Sequence, residues 1–170
     1  MIVMSDEART LDSISRSIAV IMERVRLENR WVDEKWEATG VALDTPEDGG
    51  RARVIAQNDK RTRILFPGLV LCLRRSEAEG YFMNLSSPEP KVFVLWRMDG
   101  EAARPDLVTV SYNEGARWID SGEHVDGVAL PPELMPWMTE FVVAHYKPEP
   151  KKPRRYASNK DRGVASRRDG

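Results

Sequence analysis

Two dense apolar runs separated by a polar turn stand out in the middle of the chain. Residues 81–96 read YFMNLSSPEPKVFVLW, and the turn contains Pro88 and Pro90. Apolar runs bounded by Ser and Pro are typical of a β-hairpin, so strands are predicted over residues 79–85 and 91–98. Both alternating faces of the second strand are apolar, which favours a central place in a sheet covered on both sides.

Further strands are predicted on either side of this hairpin. Residues 17–26 and 35–43 alternate between apolar and polar positions, and the second segment loses its alternation at Gly40, which predicts a bulge there. Pro67 and Gly68 form a dipeptide typical of a turn. The remaining predicted strands cover residues 51–56, 61–66, 69–74 and 106–112.

The apolar spacing becomes helical after residue 112. Asn113 is predicted to cap a helix over residues 114–120 that ends at Gly122, and residues 124–130 are predicted as a loop. Pro131 and Pro132 open a final helix that extends to about residue 146. One face of it is apolar, and that face contains Leu134, Trp137, Met138, Phe141, Val142 and His145.

These elements predict a mostly β, α+β fold. It is a small barrel or sandwich of about seven or eight short strands with a C-terminal amphipathic helix. The chain is predicted to divide into a flexible N-terminal segment (1–16), a single β-rich domain (17–146) and a basic, disordered tail (147–170).

Charge is distributed unevenly along the chain, although its net value is only −1. Residues 147–170 contain nine basic and three acidic side chains, so the tail carries +6 and the remainder −7. A basic tail suits an acidic partner protein or a nucleic acid, and it is equally typical of a solubilising end. Its candidate binding residues are Lys151, Lys152, Arg154, Arg155, Arg167 and Arg168.

Composition also bears on the cellular compartment. No apolar run approaches the roughly 20 residues that span a bilayer, so no membrane span is predicted. The first residues lack the basic start and apolar stretch of a secretory signal. Cys72 is the single cysteine and cannot form an intramolecular disulfide. A cytoplasmic protein is therefore predicted.

Residues that commonly carry catalysis or bind metals are sparse. A structural zinc site needs four nitrogen or sulfur ligands at short spacing, whereas His124, His145 and Cys72 are the whole supply. Neither a Gly-x-Ser-x-Gly elbow nor a glycine-rich phosphate loop is present. We therefore expect no metal, no cofactor and no catalytic site.

The strongest candidate for a functional surface lies between residues 113 and 133, where acidic side chains surround His124. Helix capping and solubility would explain the same carboxylates. Trp31 and Trp118 are the two tryptophans predicted to be exposed. The predicted partner-binding residues are Trp31, Asn113, Glu114, Arg117, Trp118, Asp120, Glu123, His124 and Asp126.

Two other functions stay open. Small barrels with basic grooves bind single-stranded nucleic acid, and basic residues are frequent on the early predicted strands: Arg51, Arg53, Lys60, Arg61, Arg63, Arg74 and Arg75. A small hydrolase would need His124 to converge with Asp120 or Asp126.

Three stretches resemble a known family. They are ERVRLENRWVDEKWEATGV (23–41), NLSSPEPKVFVLWRM (84–98) and VTVSYNEGARWIDSGEHVDGVALPPELMPWMTEFVVAHYKPEPKK (108–152). They are similar to the uncharacterised proteobacterial family catalogued as domain of unknown function 3305, over roughly residues 17–152. Its members tend to be encoded beside genes for molybdenum-dependent formate dehydrogenase and its maturation factors. The resemblance implies a non-catalytic accessory protein that binds a formate dehydrogenase subunit or a maturation factor, and it assigns no catalytic residues.

Overall fold

A computed structural model describes residues 12–28, 30–44 and 50–148. Within these ranges there are seven strands and three helices. The strands are β1 (Ser13–Arg26), β2 (Glu34–Leu43), β3 (Arg53–Gln57), β4 (Arg61–Arg74), β5 (Lys91–Asp99), β6 (Ala102–Thr109) and β7 (His124–Ala129). The helices are α1 (Ala78–Leu85), α2 (Tyr112–Asp120) and α3 (Met135–His145), with 3-10 turns Arg75–Glu77 before α1 and Pro132–Leu134 before α3.

The strands form two antiparallel sheets. One has the order β2-β1-β4-β3 and the other the order β6-β5-β7. The mostly β fold with a C-terminal helix is confirmed, and in the described part of the chain the sheets do not close into a barrel. β5 is the centre of its sheet, as its two apolar faces predicted.

A single core joins the two sheets and the helices. Successive side chains of a strand point to opposite faces, so alternate residues of β1 share one side. Ile18, Val20 and Met22 are fully buried there and pack in one cluster with Val94 of β5 and Phe141 of α3. Burial of this apolar surface is the main stabilising contribution to the fold.

Both strands that pair with β1 contain a bulge. The register between β1 and β2 shifts at Ile21/Met22, which leaves Thr39 as the extra residue beside Gly40 and confirms the predicted bulge. The predicted turn at Pro67-Gly68 is wrong, because β4 runs through it as one strand and the dipeptide forms a second bulge. Gly68 has φ +82, a value that favours glycine.

Asp44 explains why the chain passes through Pro67-Gly68 without turning. Its carboxylate accepts a hydrogen bond from the backbone N–H of Gly68 at 2.8 Å and another from the Ser17 hydroxyl at 2.7 Å. The bulged N–H is therefore satisfied by a residue that follows β2. β1 also begins earlier than predicted, since Ser13 already pairs with Arg74 and residues 13–16 belong to the strand.

The predicted strand over residues 79–85 is wrong, because this segment is helix α1 and no hairpin forms there. Tyr81 and Asn84, three residues apart, are buried, whereas Phe82 and Met83 are exposed. The side chain of Asn84 bonds the backbone N–H and C=O of Lys91 and the C=O of Val110. α1 is thereby tied to the start of β5 and to the residue after β6.

Two local predictions near α2 are also wrong. Ser111, not Asn113, caps α2, and its hydroxyl accepts from the backbone N–H of Glu114 at 3.1 Å. Residues 124–130 were predicted as a loop, but β7 pairs along β5 from Lys91–Ala129 to Trp96–His124. β7 is an edge strand with polar residues on its exposed face, so its apolar pattern is weak.

The final helix agrees with the prediction. α3 has a proline in its first turn, where the missing N–H costs no hydrogen bond. The basic tail residues Lys151, Lys152, Arg154, Arg155, Arg167 and Arg168 lie outside the described residues, as do residues 1–11. Among the helices described here, none has the length and apolarity needed to cross a membrane.

Candidate functional site

The two sheets meet along a seam between β2 and β7, and Asp126 bridges it. One carboxylate oxygen, Oδ2, accepts a hydrogen bond from the backbone N–H of Ala38 on β2 at 2.9 Å. The same oxygen accepts from the indole N–H of Trp96 on β5 at 2.8 Å. A single side chain of β7 therefore connects strands of both sheets and fixes the orientation of Trp96.

A groove of about 750 Å³ opens above this seam. We call it the seam groove. It is lined by Val32, Asp33, Glu34, Lys35, Trp36, Trp96, Met98, Glu101 and His124. Its walls come from the turn before β2, from β2 itself, and from β5, the β5–β6 turn and the start of β7, so both sheets contribute.

Aromatic rings form the floor of the seam groove. Trp36 and Trp96 are only 9% and 8% exposed, but an edge of each contributes to the lining. His124 stacks on Trp96 with ring centroids 4.3 Å apart and an angle of 11° between the planes. The guanidinium of Arg24 lies 6.0 Å from the centre of the Trp36 ring. The floor is thus formed by the stacked His124–Trp96 pair and by Trp36.

Exposed apolar side chains border this floor. Val32 is 50% exposed and Met98 is 48% exposed. Trp31, which immediately precedes Val32, is 86% exposed, so the prediction that it is exposed is confirmed. Large apolar side chains gathered at a groove are typical of an interaction site rather than of scattered surface residues.

The rim of the seam groove is acidic. Asp33, Glu34 and Glu101 outnumber the single cation Lys35. Glu34 lies 3.7 Å from the guanidinium of Arg24, which offsets part of the negative charge of Glu34. The remaining carboxylates give the rim a potential that complements a basic ligand.

An ion-pair cluster fixes the strand ends beside the groove. Arg97, next to Trp96, binds both carboxylate oxygens of Glu123 at 2.9 and 3.2 Å and also pairs with Asp106. The hydrogen bond from Arg97 holds the pKa of the Glu123 carboxyl below its ordinary value, and that carboxylate in turn raises the pKa of Arg97. Because the pKa of Glu123 is lowered on folding, this pairing favours the fold at neutral pH and is lost as the pH falls into the acid range.

The sequence profile of the family described as "Protein of unknown function (DUF3305)" matches residues 17–155. The chain belongs to this family. No curated protein and no solved structure matches the chain.

In this DUF3305 chain the predicted partner-binding residues divide into two groups. His124 lines the seam groove, Asp126 bridges the strands beneath it, and Glu123 and Trp31 adjoin it. The predicted residues on α2 face other neighbours: Glu114 pairs with Arg74, and Arg117 pairs with Glu77.

The other α2 residues complete that second group. Asn113 lies in the first turn of the helix and is half-buried. Trp118 is half-buried too, which differs from the exposed position predicted for it. Asp120 is exposed at the last position of the helix. The ion pairs of α2 connect it to the rest of the fold, so the groove is the stronger candidate for binding.

Of the nine residues that line the groove, sequence reasoning found only His124. The eight that it missed are Val32, Asp33, Glu34, Lys35, Trp36, Trp96, Met98 and Glu101. Trp36 and Trp96 occupy apolar positions of strands and were therefore assigned to the core. They are buried, yet they also line the groove because each sits where one sheet ends against the other. A sequence offers no signal for such a seam between strands that are distant along the chain.

The chemistry expected of a hydrolase is not assembled in the residues that the structure describes. Asp126 accepts hydrogen bonds from Ala38 and Trp96, and His124 has no hydrogen bond to Asp126 or Asp120. Over the same residues, no group of three or more His, Cys, Asp or Glu side chains is placed to hold a metal ion.

Many of the cations predicted for nucleic-acid binding are paired within the fold. Arg61 and Arg63 both bind the carboxylate of Glu23 at 2.9 and 2.8 Å, and Glu23 is fully buried between them. Arg74 pairs with Glu114, and Arg75 lies 3.8 Å from Asp12. Arg53 is not free either, since it also has an interaction partner. Lys60 immediately precedes β4.

Proposed function

We propose that the protein is a non-catalytic accessory protein that binds a partner through the seam groove. The partner is a formate dehydrogenase subunit or a maturation factor of that enzyme, and the bound element is a segment with apolar and basic side chains. The observation that carries the proposal is the exposed apolar border of Trp31, Val32 and Met98 beside an aromatic floor.

The apolar border supplies the energetic argument. Tryptophan and methionine are enriched in protein interfaces, and tryptophan is frequent among the few residues that dominate binding energy. Covering a side chain as large and exposed as Trp31 removes on the order of 150 Å² of mostly apolar surface from water, roughly 4 kcal/mol before the costs of association. A shallow groove with such a residue at its edge can therefore hold a partner segment.

The acidic rim supplies the chemistry of the partner. Lys and Arg side chains of a bound segment would face Asp33 and Glu101, while its apolar side chains would lie on the ring of His124 and on Met98. Complementary charges of this kind mainly raise the association rate and the specificity. The identity of the partner rests on the family resemblance and on the gene neighbourhood that it implies.

The test is co-purification with a matched set of variants. The tagged full chain is expressed in its native host, and formate dehydrogenase subunits and maturation factors are quantified in the eluate by mass spectrometry. We expect Trp31→Ala and Met98→Ala to lower recovery about tenfold or more, since each removes over 1.4 kcal/mol of binding. Ile119→Ala, an exposed apolar residue on α2, is the control and keeps full recovery.

Two results would count against the proposal. One is that no formate dehydrogenase or maturation component is recovered with the wild-type chain. The other is that Trp31→Ala and Met98→Ala recover as much as Ile119→Ala, which would move the interface away from the groove. Circular dichroism of each variant shows whether the fold is intact.

A further inference from the structure

A second cleft lies where β1 ends, beside the start of β2, and has a different character. It measures about 570 Å³. Its polar lining comes from the end of β1, the end of β3, the β3–β4 loop and the start of β4: Arg24, Arg26, Gln57, Asn58, Asp59, Lys60 and Thr62. We call it the basic cleft.

Two cations face each other across the strand pair at this end. The last register pair of β1 and β4 is Val25–Arg61, and the backbone N–H of Arg26 donates to the C=O of Lys60 at 2.8 Å. Arg26 and Lys60 are therefore cross-strand neighbours. Like charges directly opposite each other destabilise a sheet. Within the described residues neither side chain has an ion pair, and Glu34, which lies opposite Arg26 on β2, is paired with Arg24, so the fold offsets this repulsion only in part.

A third cation is held in place beside them. Arg24 pairs with Thr62 in the next register position on the same face. Its guanidinium donates to the Thr62 hydroxyl at 3.4 Å, lies 3.7 Å from Glu34, and sits over the Trp36 ring. Arg24 is thus oriented before any ligand arrives, which lowers the entropic cost of binding.

The hairpin loop between β3 and β4 closes the cleft with hydrogen-bond donors. The side-chain oxygen of Asn58 accepts from the backbone N–H groups of Lys60 and Arg61 at 2.9 and 2.8 Å. This turn is therefore fixed by the Asn58 carbonyl, and the amide N–H groups of Asn58 stay available as donors. Asp59 and Glu34 are the acidic groups nearby, so three cations face two carboxylates.

We propose that the basic cleft binds a phosphate group of a ligand, with Arg26 and Lys60 on either side of it and Arg24 at its base. A phosphate group carries two negative charges and oxygen acceptors that match guanidinium and ammonium donors. Its charge removes the repulsion between the two facing cations. The volume leaves room for the group to which the phosphate is attached. This inference is independent of the protein-binding proposal.

The first experiment uses pyrophosphate as the probe. The melting temperature of the full chain is measured at low ionic strength in pyrophosphate and in sodium chloride of matched ionic strength. We expect pyrophosphate to raise it, because a ligand that binds the folded state stabilises it. Arg26→Gln and Lys60→Gln are each expected to weaken binding about tenfold or more, since each removes a charge-assisted hydrogen bond. Arg104→Gln, an exposed arginine paired with Asp99, is the control and keeps the response.

A second readout separates a binding site from a structural role. If Lys60 is placed for an anion, Lys60→Gln removes one of two facing like charges and leaves the ligand-free protein as stable as the wild type or slightly more stable, whereas Arg26→Gln also removes the charge opposite Glu34. The inference is overturned if pyrophosphate gives no more stabilisation than matched chloride. It is also overturned if both variants lose stability without ligand and still respond to pyrophosphate.

A further experiment distinguishes a nucleic acid from a small phosphorylated molecule as the ligand. Binding of a single-stranded oligonucleotide and of a nucleoside triphosphate is compared by fluorescence anisotropy across a series of salt concentrations. A nucleic-acid backbone contacted by three cations predicts a slope of about −2 in log affinity against log salt. Tighter binding of the triphosphate identifies a small phosphorylated molecule, and Lys60→Gln must weaken whichever ligand is bound.

Discussion

Replacing Asp126 with Ala tests whether this carboxylate holds the two sheets together. The change removes both hydrogen bonds at Oδ2 and leaves the backbone N–H of Ala38 and the indole N–H of Trp96 without an acceptor. Both donors belong to buried residues. A hydrogen bond to a charged group contributes roughly 1.5–3 kcal/mol, so we expect the free energy of unfolding to fall by about 3–5 kcal/mol.

Two matched variants sharpen the experiment. Asp126→Asn keeps one carbonyl oxygen that can accept from both donors, so we expect a loss of about 1 kcal/mol. Asp120→Ala removes an exposed carboxylate from the neighbouring helix end and should change stability by less than about 0.5 kcal/mol. Urea denaturation followed by far-UV circular dichroism measures all three, since a fluorescence signal would be altered by the changed surroundings of Trp96.

A double-mutant cycle then isolates the contact to the indole. Trp96→Phe removes the N–H donor, so Asp126→Ala should cost less in that background than in the wild type, with a coupling energy between about 0.5 and 3 kcal/mol. The reasoning is refuted if Asp126→Ala is as stable as Asp120→Ala, or if the two substitutions at the seam are additive. Either outcome would show that the Asp126 carboxylate does not hold the two sheets together.

Three further predictions concern the packing around α1. Gly80→Ala should lose about 1–3 kcal/mol despite the better helix propensity of alanine, because the new Cβ would lie 2.1 Å from the Ser111 hydroxyl. Asn84→Ala should lower the free energy of unfolding by about 3 kcal/mol, because the three hydrogen bonds of this buried side chain disappear. Burial raises the pKa of Tyr81 to about 12, and its hydroxyl donates to the C=O of Cys72. Because the folded state holds this proton more tightly, the free energy of unfolding should hold below pH 10. It should fall by up to about 3 kcal/mol as the pH rises through 12.

Each of these has its own control, and urea denaturation serves for all. Glu79→Ala, an exposed change on the same helix, should leave stability nearly unchanged, and equal stability of the glycine variant would contradict the contact with Ser111. For Asn84, a loss below 1 kcal/mol would show that water replaces the side chain. Tyr81→Phe should flatten the difference between pH 9 and pH 12, and an unchanged alkaline loss in that variant would assign the effect to other groups.

Sequence patterns predicted well those elements whose environment is local. β5 is apolar on both faces and lies at the centre of its sheet, and the spacing of Leu134, Met138 and Phe141 marks α3. β1 was found from Ile18, Val20 and Met22, which alternate because one face meets the core.

The failures arise where a distant residue decides the local structure. Nothing near Gly68 shows that Asp44 will accept its N–H, so a bulge looked like a turn. The apolar run over residues 79–85 is typical of a strand, but two of its apolar residues, Phe82 and Met83, are exposed on α1. β7 was missed because its pattern belongs to an edge strand with one solvated face.

The candidate site was predicted least well, for the same reason. His124 and Trp31 were chosen for their chemistry and exposure, and both lie at or beside the seam groove. Trp36 and Trp96 were not chosen, because in the sequence they look like ordinary core residues. That their rings also line a groove is visible only once the two sheets are packed together.

The seam groove has walls from both sheets, so the partner binding proposed above would be coupled to the cohesion of the fold. A partner seated between Trp36 of β2 and Trp96 of β5 contacts each sheet, so it can bind fully only while the sheets are docked. By thermodynamic linkage the partner adds about 2.7 kcal/mol to the free energy of unfolding at a hundred times its Kd. Loosening the seam at Asp126 must then weaken binding to the extent that it separates the sheets, although Asp126 does not line the groove.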